Sequence, residues 1–306
     1  MNNFLTENNE VFNAISNNKS TAVEILEQAI IVPPFCADYE KIYVLSRFEE
    51  IVATHIIALY LEKGMDYKPP MYLAIMGEPG EGKTAQAIAT CTQRGVYVFY
   101  ISASALSGSH EEEASQKLEL VYKKACEYRK KNPVAIVIDD FHKSIVNDDD
   151  NKKRTINTDL LTGYMMNLAE HNGKLQIPII LTANNLSDVY APLLRAGRAD
   201  IFEWKPTIEE KREVVFNILS SFVYDNSKKE FDKFFYTFSK ENIAFFSQLR
   251  NQWRKAVMKK LIKDIHRIDD SSLLRMNNAV LSSQRHLTYA ALTSIACSFK
   301  EERGGL

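Results

Sequence analysis

The chain has 306 residues, 45% of them apolar, and is almost neutral, with 38 Lys plus Arg against 39 Asp plus Glu. That length suits one large domain or two modest ones with a buried core, and the charge balance argues against a protein built mainly to coat nucleic acid or an anionic membrane. Cys36, Cys91, Cys126 and Cys297 lie far apart with no CxxC, which argues against zinc and a disulfide framework and suggests reduced thiols in a cytosol-like compartment.

The N-terminal "MNNFLTENNE" has neither a basic head nor an apolar core, so no signal peptide is expected. The longest apolar runs, "HIIALYL" and "IPIILTA", are too short to span a membrane, and a soluble, cytoplasmic protein without a membrane partner is expected. Residues 1–40 are rich in Asn and Ser and read as an arm or small cap, with one helical pattern in "TAVEILEQAIIV" and "VPPF" as punctuation. "KIYVLSRFEEIVATHIIALYLEKG" has helical spacing with Gly64 as a stop. The runs "MYLAIMG", "VYVFYIS", "VAIVIDD" and "IPIILTANN", with "ADIFEW" as a fifth, then alternate with helical stretches. Continuous apolar strands between helices predict a parallel sheet covered on both faces, an α/β domain over residues 41–206. "NDDDNKKR" reads as a loop. From Thr207 the pattern turns all-helical: "TIEEKREVVFNILSSF" and "SKKEFDKFFYTFS" open with capping-box patterns, and residues 207–306 should form a small all-α domain. The aromatic spacing of "FDKFFYTF" reads as core packing, and His110, His142 and His171 lack metal-ligand spacing.

The segment "MYLAIMGEPGEGKTAQAIA" carries the chemistry. Gly77, Gly82, Lys83 and Thr84 fill the pattern G-x-x-x-x-G-K-[ST], with Glu78, Pro79, Gly80 and Glu81 as the loop and Ala85 just beyond. The glycines let backbone N–H groups turn toward phosphate oxygens, and the helix that starts there adds its positive dipole end. Lys83 reaches the β and γ phosphates and Thr84 binds Mg2+. "VAIVIDDFHK" ends a buried strand in two carboxylates about 55 residues later. Asp139 is assigned to Mg2+ and Asp140 to polarising the water that attacks the γ-phosphate. Asn184 ends another apolar strand, where open α/β sheets collect ligands, as a partner for that water or for the phosphate, although such an Asn is more often a turn residue. Arg195 and Arg198 in "YAPLLRAGRADIFEW" read either as surface ion pairs or as an arginine finger for a neighbouring subunit, and spacing alone leaves both open.

These motifs, in this order, resemble an AAA+ ATPase, and among that class the sequence is similar to the Rubisco activase family. The likeness runs from about Ile51 to Trp253 and is densest in "INTDLLTGYMMNLAEHN" and "IPIILTANNLSDVYAPLLRAGRADIFEWKPTIEEKREVV", with "IAFFSQLRNQW" beyond. The resemblance implies an AAA+ P-loop NTPase fold with a five-stranded parallel sheet followed by an all-α lid. It implies a homo-oligomeric ring, usually a hexamer, with ATP and Mg2+ held between subunits and a client protein not named by the sequence. It assigns Asn184 to the sensor-1 role, Arg195 and Arg198 to trans-acting fingers and Arg250 to the sensor-2 role. It also matches "SASALSGSHEEEA", with Leu106 and Gly108, to a first pore loop, and the segment through "NDDDNKKRT" to a second.

Three functions fit these features. The leading one is an ATP-driven remodeller of a partner protein. A nucleic-acid motor or loader is suggested by the basic stretch "RNQWRKAVMKKLIKDIHR". An ATP-gated assembly switch with slow hydrolysis is suggested by Asp140, a methylene shorter than the Glu that most AAA+ proteins carry there, and by the lack of an aromatic residue in the first pore loop.

Overall fold

The computed structural model describes residues 29–61, 69–106, 113–141, 156–171, 176–185, 191–224, 227–264, 269–284 and 286–304. They fall into two compact units. One runs to Gly77 and resumes over Lys83–Trp204; the other comprises Glu78–Gly82 and the chain from Lys205 onward.

The first unit holds, in chain order, β1 (Ala29–Val32), α1 (Ala37–Glu40), α2 (Ser46–Tyr60), β2 (Tyr72–Met76), α3 (Lys83–Gln93), β3 (Tyr97–Ser102), α4 (Ala103–Leu106), α5 (Glu113–Arg129), β4 (Val134–Asp139), α6 (Ile156–His171), β5 (Ile179–Ala183) and β6 (Ala199–Glu203). The strands make one six-stranded sheet in the order β1-β3-β4-β5-β2-β6. From β3 to β6 every pairing is parallel. The expected five parallel strands are therefore present, including the one in "ADIFEW". Their continuous apolar runs follow from burial: Val134 to Ile138 of β4 and Ile179 to Leu181 of β5 are wholly inaccessible to solvent.

The sixth strand corrects the reading of "TAVEILEQAIIV" as helical at its end. Ala29–Val32 pairs antiparallel with β3, from Ala29 opposite Ile101 to Val32 opposite Val98. Three successive β-branched residues favour the extended state, and Pro33 disfavours helical backbone at Val32. Residues 21–28 lie outside the described residues, as do Gly64 and "NDDDNKKR". Helix α2 ends at Tyr60 and buries Phe48, Val52, Ala53, His55, Ile56 and Leu59, the stripe that its spacing predicts. Leu106 also departs from expectation: assigned to a pore loop, it is 1% exposed and belongs to the sheet unit's core, while Gly108 lies outside the described residues.

The second unit contains α7 (Ile208–Ser220), α8 (Lys228–Thr237), α9 (Ile243–Leu261), a short 3-10 turn over Ile262–Asp264, α10 (Asp270–Gln284) and α11 (Tyr289–Gly304), with no strand among the described residues. Thr207 and Glu210 form the reciprocal capping box at α7, and the Ser227 hydroxyl accepts from the Glu210-equivalent amide of α8, that of Glu230. Phe231, Phe234, Phe235 and Phe238 pack with Phe245, Phe246, Trp253 and Tyr289, so the aromatic repeat is core. The cysteines are free thiols, and burial pushes Cys91 up to about 12, which keeps it protonated and inert.

Two stability predictions follow from the sheet unit. Burial of His55 lowers its pKa to about 4, against a hydrogen bond that the ring donates to the Met71 backbone, which works the other way. The folded chain therefore holds His55 neutral where the unfolded chain takes up a proton, so its contribution is complete above about pH 6.5 and is lost as pH falls toward 4, on the order of 2 kcal/mol by pH 5. Urea midpoints at pH 7 and pH 5 should show a smaller difference in His55→Gln than in wild type. At Gly163 in α6, no atom lies within 4 Å of the place a Cβ would take. Gly163→Ala should therefore raise stability by about 0.5–1 kcal/mol in urea unfolding, from the helix propensity gained.

Candidate active site

Parallel register brings the C-terminal ends of the inner strands level. Met76 of β2 lies opposite Ala183 of β5, and Ser102 of β3 lies opposite Asp139 of β4. At this edge the chain leaves β2 at Gly77. The Gly77 amide donates to the Ala183 carbonyl at 3.2 Å, and the Trp204 amide donates to the Met76 carbonyl at 2.6 Å. A Cβ at Gly77 would sit 2.1 Å from the Trp204 carbonyl oxygen, so only glycine fits. Trp204 is itself fixed, with Phe48 edge-on at 4.9 Å and the Arg47 guanidinium 5.1 Å above its ring.

Lys83 opens α3 and is 7% exposed. Its Nζ donates to the Gly77 carbonyl at 2.6 Å and to Asn184 Oδ1 at 3.1 Å. The next residue, Thr84, donates from Oγ1 to Asp139 Oδ1 at 2.5 Å. Thr182 of β5 donates to the same oxygen at 2.7 Å, and its hydroxyl lies 3.1 Å from that of Thr84. The Tyr100 hydroxyl of β3 donates to Asp139 Oδ2 at 3.0 Å. Burial, and then the Asp139 charge, push Tyr100 up to about 12, so its phenol keeps the proton it donates. Asp140 follows with φ of 53°, a left-handed backbone that Asp tolerates better than most residues, and its amide reaches Thr182 Oγ1 at 3.4 Å. Ala85 is half-buried in the first turn of α3.

The sequence-assigned Gly77, Lys83, Thr84, Asp139, Asp140 and Asn184 are thus gathered at one sheet edge. Sequence reading missed Thr182 and Tyr100. Thr182 was accessible in principle, because strand alternation puts it on the same face as Asn184; Tyr100 required knowing that β3 and β4 are neighbours.

The rest of the loop belongs to the helical unit. Gly80 and Gly82 have φ of 79° and 77°. The Gly80 carbonyl accepts from the Ala244 amide at 2.8 Å, and the Pro79 carbonyl accepts from Asn242 Nδ2 at 3.1 Å. Asn242 also caps α9, its Oδ1 accepting from the Phe245 amide at 3.0 Å. A Cβ on Gly80 would meet Asn242 Nδ2 at 2.4 Å. Glu81 pairs with Lys211 at 2.9 Å, both largely buried, and Glu78 is exposed. Arg250 lies on α9 with its guanidinium 5.9 Å from the Phe222 ring; burial, then the Arg254 charge, pull its pKa below the ordinary arginine value.

The two candidate finger arginines differ. Arg198 is paired with Glu170 through Nε at 3.0 Å and through Nη2, and donates from Nη1 to the Pro192 carbonyl. Arg195 is exposed and makes no ion pair among the described residues.

Residues 73–207 match the ATPase family associated with various cellular activities (AAA). The chain carries an AAA-family ATPase domain. It is 31% identical over 226 residues to the ribulose bisphosphate carboxylase/oxygenase activase of Nostoc sp. PCC 7120, covering 69% of this chain and 53% of that protein. To the chloroplastic activase of Chlamydomonas reinhardtii it is 27% identical over 236 residues, 72% of this chain and 57% of the relative. To activase 2 of Nicotiana tabacum it is 29% identical over 222 residues, 68% and 50%. The chain thus spans about half the length of the curated relatives it matches. Among the described residues no helix is long and apolar enough to cross a membrane, and no cluster of His, Cys, Asp or Glu forms a metal site by itself.

The AAA domain's loop tests readily through Asn242, which serves the α9 cap and the Pro79 carbonyl together. Asn242→Ala should lower the stability of the helical unit by about 1–2 kcal/mol in urea unfolding.

Proposed function

We propose that this protein binds and hydrolyses ATP between neighbouring copies in a ring and uses the cycle to remodel a partner protein. The observation that carries the reading is Lys83, whose ammonium is held between the Gly77 carbonyl and Asn184 directly before the Thr84–Asp139 pair. Support comes from the AAA match and from relatives named as activases.

The residues fit a nucleotide with Mg2+. At the start of α3, the Lys83 ammonium beside the hard hydroxyl and carboxylate oxygens of Thr84 and Asp139 suits phosphate and that cation. Thr84 and Asp139 would hold Mg2+, which when bound neutralises phosphate charge. Lys83 exchanges its carbonyl partners for β- and γ-phosphate oxygens. Asp140 accepts the proton of the attacking water as its oxygen bonds to the γ-phosphorus and the bond to the β-bridging oxygen breaks, giving ADP and phosphate. Asn184, freed from Lys83, orients that water. Arg195 of one copy supplies positive charge to the next copy's γ-phosphate, since Arg198 is engaged by Glu170 within its own chain. Arg250 takes the sensor-2 role that the family resemblance assigns to it.

Shared sites give a decisive experiment. Lys83→Ala should abolish ATP hydrolysis, and Arg195→Ala should keep ATP affinity but slow turnover by about a thousandfold. Mixing the two inactive proteins should restore a measurable fraction of activity, because some seams then pair an intact cradle with an intact arginine. Full activity in Lys83→Ala, or no recovery on mixing under conditions in which wild type assembles, contradicts the reading.

A further inference from the structure

We propose that Tyr100 is a positioning residue for the divalent cation, acting by fixing the free lobe of the Asp139 carboxylate. The inference rests on the nucleotide reading above. A carboxylate at the end of a strand is held only loosely by its own rotamer, because the terminal torsion of Asp is broad and roughly two-fold. Its direction must come from hydrogen bonds. Here Oδ1 accepts from both Thr84 and Thr182, and Oδ2 accepts from the Tyr100 hydroxyl at 3.0 Å. Three donors on two oxygens hold the plane of the group, and a lone pair remains for a cation, since an ionised carboxylate has about four acceptor positions.

Two features make Tyr100 suited to this task. Its placement is set by the sheet: β3 is the parallel neighbour of β4, with Tyr100 opposite Val137 and Ser102 opposite Asp139. Only a long side chain at position 100 spans from there to the strand end, and the phenol does so with a rigid ring. Its chemistry matters equally. A neutral phenol donates a hydrogen bond without cancelling the negative charge that a cation needs, whereas a lysine or arginine at the same position would form an ion pair and compete with the metal. Thr84 is already expected to touch the cation, so Thr182 and Tyr100 are the two groups that orient Asp139 without themselves being ligands.

The test uses the full chain and a fluorescent ATP analogue, with binding measured in EDTA and across a Mg2+ titration, for wild type, Tyr100→Phe, Asp139→Asn and the double variant. The expected result is that Tyr100→Phe leaves affinity in EDTA within about twofold of wild type and raises the Mg2+ concentration for half-maximal effect by about tenfold. In the Asp139→Asn background the same change should add nothing. An unchanged Mg2+ requirement in Tyr100→Phe, with Asp139→Asn impaired, overturns the role of Tyr100 while leaving the nucleotide site intact. An equal loss of affinity with and without Mg2+ also overturns it, since that is the mark of a merely structural residue; urea midpoints of the variants, taken alongside, identify any such loss of fold. A wild-type chain without Mg2+-dependent nucleotide binding overturns the site reading itself, and the proposal with it.

Discussion

The hydrogen bond from Thr84 to Asp139 joins residues 55 positions apart in the chain, and the site takes its form from it. Thr84 lies in the first turn of the helix that follows the glycine loop; Asp139 is the last residue of a central strand. Their contact fixes where that helix begins relative to the sheet edge, and it brings a hydroxyl and a carboxylate to one point. Thr182 binds the same oxygen from the next strand, so two strands and a helix share one acceptor. Lys83 is carried to its place by the same helix turn, one residue earlier, where Asn184 meets it.

That arrangement depends on backbone space. Gly77 is pressed against the Trp204 carbonyl at the end of the neighbouring edge strand, and no side chain fits between them. Trp204 holds its position through Phe48 and Arg47 of α2, an aromatic and cationic stack far from the phosphate motif in sequence. In the helical unit, Pro79 and Gly80 present carbonyls to Asn242 and Ala244, so the loop's shape is fixed by partners and not by its glycines alone. Glycine supplies the permitted angles; the neighbours choose among them.

Much of this was legible in the sequence. Fully buried strands must be apolar along their whole length, which exposed "VAIVID" and "IILTA", and a phosphate loop must order glycines, lysine and threonine in one way. Local pattern failed where the deciding contact was remote. Ala29–Val32 has apolar residues compatible with either period, and pairing with β3 together with Pro33 decides for a strand. Leu106 follows β3 in a stretch assigned to a loop by resemblance, yet an apolar side chain there is taken into the core. The engagement of Arg198 by Glu170 is an ion pair across 28 positions, invisible to spacing, and it separates two arginines that the sequence could only treat alike. Tyr100 escaped for the same reason: its significance lies in the adjacency of β3 and β4.

The central claim is that Thr84 and Asp139 form a pocket that holds a divalent cation against nucleotide phosphate. Its most direct measurement is electron paramagnetic resonance of Mn2+ substituted for Mg2+, with a slowly hydrolysed ATP analogue, on wild type and Thr84→Ala. Protein-bound Mn2+ with hyperfine coupling to phosphorus in wild type, lost in Thr84→Ala, is the predicted result. A spectrum in which the Mn2+–nucleotide complex is unaffected by the protein, or is bound equally by Thr84→Ala, contradicts it.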